Sequence, residues 1–169
     1  MSHVAAIALG SNLANGGSDR EANLRAAVDR VRELGRVVAV SGWYDTTPVG
    51  YLDQPRFLNG ALLLETELEP LELLRGLLRI EREMGRDRSA TVAKGPRVID
   101  LDLLLVGDLV MGTLELTLPH PGMQDRWFVL EPLNEIASGM IDPRTGKTVA
   151  EMLGALAATA MTGAGSRLS

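Results

Sequence analysis

The order of hydrophobic patterns predicts an α+β fold of the ferredoxin-like βαββαβ type: one antiparallel sheet, both helices on one face, and a C-terminal extension. Three observations carry this. Four short aliphatic runs, at 4–9, 36–44, 57–66 and 98–106, read as strands. Two stretches with apolar residues at helical spacing lie between the first and second of these runs and between the third and fourth. A length of 169 residues suits one domain with a sizeable core.

The run at 4–9 (VAAIAL) ends at the turn cluster Gly10-Ser11-Asn12. Ser18 and Glu21 have the S-x-x-E spacing of a capping box, in which each side chain satisfies a free backbone amide. The helix behind it carries Leu24, Ala27, Val28, Val31 and Leu34 on one side and stops at Gly35. A valine-rich strand follows at 36–44. Residues 45–56 hold two prolines and a glycine and read as a loop, because proline fixes φ. After the strand at 57–66, Pro70 suits a first helical turn. Leu73, Leu77, Ile80 and Met84 make the apolar stripe of that helix, which Gly85 ends. Residues 86–95 lack periodicity and read as a flexible loop. The strand at 98–106 turns at Gly107-Asp108 into a short partner at 109–111, and 128–137 reads as a short helix. Residues 1–150 are expected to form a single catalytic domain. The alanine- and glycine-rich stretch 151–169 is expected to be a short tail, its last dozen residues poorly ordered.

Composition narrows the class. Apolar content of 46% and charged content of 23% fit a globular chain, and no apolar run reaches the ~18 residues of a membrane span. No secretory signal opens the sequence and no cysteine is present, so a cytoplasmic protein without disulfides or thiolate metal ligands is expected. Net charge is −5, yet the segment 75–97 holds seven basic residues against three acidic ones. A local basic patch on an acidic chain points to a compact anionic ligand rather than to nucleic acid or a membrane.

Asp100 and Asp102 alternate with apolar residues in one predicted strand, so both carboxylates point to one face roughly 7 Å apart. Mg²⁺ favours such a pair together with phosphate oxygens and water. A solvated D-x-D answered by arginines fits the same spacing. Arg86, Arg88, Lys94 and Arg97 lie just upstream on the presumed loop, where guanidinium forks could grip phosphate and a lid could close. Any one of them could equally be a surface charge, the reading that suits Arg75, Arg79 and Arg82. Glu81 falls at the edge of its helix's apolar stripe and should face inward, towards an arginine or a ligand hydroxyl. His120 is held between Pro119 and Pro121, with Thr117 and Arg126 on either side, and is either structural or functional. Phe57 and Phe128 are either core residues or two rings around a flat heterocycle whose edge Asn59 would read.

These pieces together resemble the 6-hydroxymethyl-7,8-dihydropterin pyrophosphokinase family. The matching residues are Ile7-Ala8-Leu9-Gly10-Ser11-Asn12-Leu13, then Tyr44…Thr46-Thr47-Pro48…Gly50 and Gln54-Pro55…Phe57-Leu58-Asn59. They continue with Glu81…Gly85-Arg86…Arg88, Gly95-Pro96-Arg97-Val98-Ile99-Asp100-Leu101-Asp102, and Leu118-Pro119-His120-Pro121…Arg126…Phe128-Val129-Leu130. They span residues 4–137 in the family's order, and the G-P-R-x-[IL]-D-L-D stretch is highly specific.

The resemblance implies transfer of pyrophosphate from the co-substrate ATP to the pterin's hydroxymethyl oxygen, with release of AMP, in folate biosynthesis. It implies two Mg²⁺ ions on Asp100 and Asp102 and catalytic roles for Arg86 and Arg97. Glu81, Arg88, Leu103, Thr117, His120 and Arg126 would contact ATP, and Lys94 joins them as a cation of the same loop. Thr46, Pro48, Val49, Phe57, Asn59 and Phe128 would form the pterin pocket. The chain departs from the family at Lys94, where many members have tryptophan, and in a loop 89–93 one residue longer than in some. Glu115 stands where some members carry an arginine, so that ATP contact is expected to be missing, and Phe57 replaces a tyrosine. The chain is expected to be monofunctional and a monomer, with a homodimer compatible. A non-catalytic ligand-sensing module and a nucleotidyltransferase palm are the rivals; metal-dependent nucleotide binding separates the first, and release of AMP rather than pyrophosphate separates the second.

Overall fold

The structure is a computed structural model that describes residues 2–12, 19–46, 57–85 and 98–162. Its central sheet has five strands: β1 (His3–Ser11), β2 (Arg36–Val40), β3 (Tyr44–Thr46), β4 (Phe57–Thr66) and β5 (Asp100–Val106). The order is β2-β4-β1-β5, with β3 also pairing β4, and every pairing is antiparallel. Helices α1 (Arg20–Val31) and α2 (Pro70–Gly85) make the two crossovers. This is the expected βαββαβ arrangement. A small hairpin follows, β6 (Met111–Gly112) with β7 (Thr117–Leu118), then helices α3 (Trp127–Ala137) and α4 (Val149–Thr162).

The period-two alternation of β1 explains the layering. Ala5, Ile7 and Leu9 join Leu24, Val28, Leu73, Leu77 and Ile80 in a core beneath α1 and α2. Ala6 and Ala8 face the other way and join Ala61, Leu104, Val129, Leu130, Leu133 and Met152. The sheet therefore carries helices on both faces. With α1 and α2 on one face, the βαββαβ unit alone would leave the other free for a ligand; α3 and α4 cover part of it, their apolar sides seated on small alanines that allow close approach.

Several boundaries also differ from the sequence reading. The cap of α1 is Asp19, whose Oδ1 accepts the Ala22 N–H at 2.7 Å; Ser18 lies outside the described residues. Residues 32–34 form a 3-10 turn rather than a last turn of α1. The single strand expected at 36–44 is split. Ser41 turns its side chain to the backbone, accepting the Ala61 N–H at 2.9 Å and donating to the Gly42 carbonyl at 2.7 Å. Trp43 then lies so close over Gly60 that any Cβ there would collide with the ring. β5 begins at Asp100, two residues later than expected. Residues 151–162, the first part of the stretch expected to be a short tail, lie in α4, anchored by Met152, Leu153 and Leu156. Among the described residues no helix is long and apolar enough to cross a membrane.

The surface reading of the α2 arginines holds. Arg79 pairs with Glu33 and Glu83, and Arg75 with Glu115 at 2.9 Å. Glu115, where some members of the resembled family carry an arginine, is thus engaged in an exposed ion pair between α2 and the hairpin.

Candidate active site

Three adjacent strands meet at the end of the second face that α3 and α4 leave open. In the β4-β1-β5 register, Asn59, Gly10 and Asp100 form one row, and Ala61, Ala8 and Asp102 form the next. Residues opposite one another in an antiparallel pair share a face. Asn59 and Phe57 therefore flank one side of the glycine, and the two aspartates flank the other. A Cβ at Gly10 would stand 3.1 Å from Asn59 Oδ1 and 3.5 Å from Phe57 Cδ1. The bare backbone of Gly10 is what lets Asn59 and Phe57 lie this close over the middle of the row. Nothing in the sequence marked that steric role; only the side chains opposite reveal it.

Asp102 is exposed and Asp100 only partly buried. The cost of burying two carboxylates is therefore not what calls for a cation. Like charge on one face remains, and among the described residues no group of three or more metal-ligating side chains assembles anywhere. Two carboxylates with open positions fit Mg²⁺, which keeps waters and takes phosphate oxygens, and they do not fit a closed protein cage.

Glu81 does face inward, as its helical angle predicts. Its Oε2 accepts the Leu101 backbone N–H at 2.7 Å, which pins the edge strand β5 between the two aspartates. Leu103 belongs to the core beneath the helices. Its side chain is thus turned away from the aspartates, and only its backbone remains to meet a ligand on their face.

His120 sits beyond β7, where its N–H donates to the Leu104 carbonyl at 2.9 Å and its Nδ1 accepts the Gly122 N–H at 3.1 Å. A neutral ring with Nδ1 as acceptor carries its proton on Nε2. Burial pushes its pKa below the ordinary histidine value; Asp102 acts in the opposite sense, and Arg126 reinforces the depression. Arg126 folds over Gly122, where a Cβ would lie 3.1 Å from its Cζ. Thr117 is exposed on β7. His120 and Arg126 thus gather near Asp102, while Phe57 and Asn59 lie across Gly10. Phe128, at the start of α3, packs against the second core. Thr46 ends β3, level with Phe57. Pro48, Val49, Arg86, Arg88, Lys94 and Arg97 lie outside the described residues.

Sequence reasoning missed Glu135. Its carboxylate accepts the Tyr44 hydroxyl at 2.7 Å and the Gly42 N–H at 3.1 and 3.2 Å, linking α3 to the start of β3. The hydrogen bond from its hydroxyl to Glu135 is the main reason the Tyr44 phenol is pushed up to about 12, with burial adding to it. No local pattern relates positions 44 and 135.

The family model for 7,8-dihydro-6-hydroxymethylpterin-pyrophosphokinase (HPPK) matches residues 6–138. The chain is 47% identical over 138 residues to a Bacillus subtilis protein named 2-amino-4-hydroxy-6-hydroxymethyldihydropteridine pyrophosphokinase, covering 80% of this chain and 79% of that one. It is 40% identical to the folic acid synthesis protein fol1 of Schizosaccharomyces pombe over 89% of its own length, yet spans only 20% of that protein. A crystal structure of a triple mutant of Plasmodium falciparum HPPK-DHPS superposes with a TM-score of 0.77 at 15% identity, covering 96% of this chain and 46% of the other, which supports the fold. With the family model matched over residues 6–138, most of its length, this chain belongs to the 7,8-dihydro-6-hydroxymethylpterin-pyrophosphokinase family.

Proposed function

We propose that this open face transfers the pyrophosphoryl group of ATP to the hydroxymethyl oxygen of 6-hydroxymethyl-7,8-dihydropterin and releases AMP. The observation that carries the reading is the row Asn59–Gly10–Asp100, which sets Asn59 and Phe57, close over a bare glycine, beside a carboxylate pair on one sheet face. On one side of Gly10, Asn59 has the donors and acceptors to read a heterocycle's edge, and Phe57, with Phe128 from α3, offers aromatic surface to stack on it. On the other side, Asp100 and Asp102 would hold two Mg²⁺ ions. Bound Mg²⁺ would neutralise phosphate charge and orient the β-phosphorus for in-line attack.

The chain's own groups then position the reactants. Neutral His120 presents an Nε2–H donor suited to a phosphate or ribose oxygen, and the Arg126 guanidinium beside it adds positive charge. Glu81 holds β5 so that both aspartates keep their places. Arg86 and Arg97 are proposed to answer the charge that builds up on the transferring group, with Arg88, Lys94, Thr117 and the Leu103 backbone contacting ATP, and Thr46, Pro48 and Val49 lining the pterin pocket.

The test follows AMP release with ATP, Mg²⁺ and the pterin together and with each left out. AMP is expected only with all three. Asp100→Asn and Asp102→Asn should each lower turnover by at least ~10²-fold with an unchanged far-ultraviolet spectrum. Near-normal turnover in both variants would remove the carboxylate pair from the mechanism. Binding of ATP without any AMP would favour a ligand-sensing module.

A further inference from the structure

Helix α3 brings Phe128 to the second face at its N-terminal end. Glu135 follows seven residues later, close to two full turns, and so projects from a neighbouring position on the same side. Its carboxylate leaves the helix and takes both the Tyr44 hydroxyl and the Gly42 N–H. Tyr44 stands opposite Asn59 in the β3–β4 pairing, and Thr46 stands opposite Phe57. Trp43, between Gly42 and Tyr44, is wedged against Gly60 and packs with the core beneath α1 and α2. The 42–44 segment is thus gripped from both faces of the sheet, by an aromatic ring on one and by a carboxylate on the other.

We propose that Glu135 and Tyr44 are positioning residues for the acceptor pocket, their hydrogen bond setting the gap between α3, which carries Phe128, and β3–β4, which carry Phe57 and Asn59. This rests on the pterin reading of that pocket. The helix itself is held by Val129, Leu130 and Leu133 in the second core, so the fold does not depend on Glu135. Glu135 is exposed, and exposed polar pairs contribute little to global stability. What the pair does fix is the relation of two walls, and stacking on a flat ring depends steeply on that spacing. The carboxylates Asp100 and Asp102 lie across Gly10 on β5, away from this contact, so the nucleotide side should not sense its loss.

The experiment uses the full chain and compares wild type with Glu135→Ala, Tyr44→Phe, the double variant and Glu135→Gln. Pterin affinity, ATP affinity, kcat and the unfolding midpoint are measured for each. Pterin binding should weaken roughly tenfold in Glu135→Ala and somewhat less in Tyr44→Phe. The double variant should be no worse than Glu135→Ala, and Glu135→Gln, which keeps an acceptor oxygen, should recover most of the loss. ATP affinity should stay within about twofold of wild type. Unchanged pterin affinity in Glu135→Ala, with pterin bound normally by wild type, overturns the inference alone. Parallel losses for pterin and ATP, or a lower midpoint with no change in affinity, overturn it in favour of a merely structural bond. A wild-type chain that binds ATP but no pterin overturns the reading of the pocket and this inference with it.

Discussion

Removing the Glu81 carboxylate tests whether this residue anchors a strand or touches ATP. The structure supplies the magnitude. Glu81 Oε2 accepts the N–H of Leu101, a residue 3% exposed, at 2.7 Å. A hydrogen bond to an ionised acceptor contributes about 1.5–3 kcal/mol, and a buried N–H left without an acceptor cannot turn to water instead. Glu81→Ala should therefore destabilise by about 1.5–3 kcal/mol. For a chain of this size each kcal/mol moves the midpoint by about 2–4 °C, so the expected drop is about 3–12 °C. Glu81→Gln keeps a neutral acceptor and should lose about half as much. The assay is thermal unfolding without any nucleotide, followed by ATP titration of the same samples. A strand anchor lowers the midpoint in the absence of ATP and weakens turnover because Asp100 and Asp102 flank the freed amide. A direct ATP contact leaves the midpoint of the free protein untouched and raises only the ATP requirement. A midpoint within about 1 °C of wild type in Glu81→Ala would refute the anchoring argument.

Two further expectations follow from the same geometry. Gly10→Ala places a methyl group 3.1 Å from Asn59 Oδ1; it should weaken pterin binding by about tenfold or more while moving stability by less than about 1 kcal/mol, because the lost strand entropy of glycine offsets the crowding. Calorimetric titration with the pterin checks this, and affinity within twofold of wild type would mean that the close approach of Asn59 to Gly10 is not used. The Tyr44 phenol, held at about 12 chiefly by its bond to Glu135, should titrate nearer the ordinary tyrosine value in Glu135→Ala. Since its folded pKa is raised, the stability from this pair is fully present below the unfolded value of about 10 and is lost as pH rises towards 12. Tyrosine ring resonances followed through that window measure it, with Tyr51, the second of two tyrosines, as the comparison. An unaltered titration in Glu135→Ala would place the cause elsewhere.

The sequence by itself determined the βαββαβ order, because strand and helix periodicities are local and each apolar stripe must find a sheet or helix to cover it. It also determined the pairing of Asp100 with Asp102 on one face, since alternation along a strand allows nothing else, and the inward facing of Glu81, since helical angle does the same for a helix. Motifs running from residue 4 to 137 were enough to name the family. Four things were decided only by tertiary structure. Residues 36–44 broke into two strands because Ser41 bonds to the backbone beside Ala61 and Trp43 must lie over Gly60, contacts made with a partner strand about twenty residues away. Alanine- and glycine-rich residues after 149 became a helix because Met152, Leu153 and Leu156 found a surface prepared by α3 and the alanines of β1. The target of Glu81 proved to be a backbone amide, since which atom lies within 3 Å of a carboxylate depends on how α2 docks against β5. Glu135 and Tyr44 met across some ninety residues of chain. Local pattern fixes which way a side chain points; packing of distant elements decides what it meets there, and a pocket is made of such meetings.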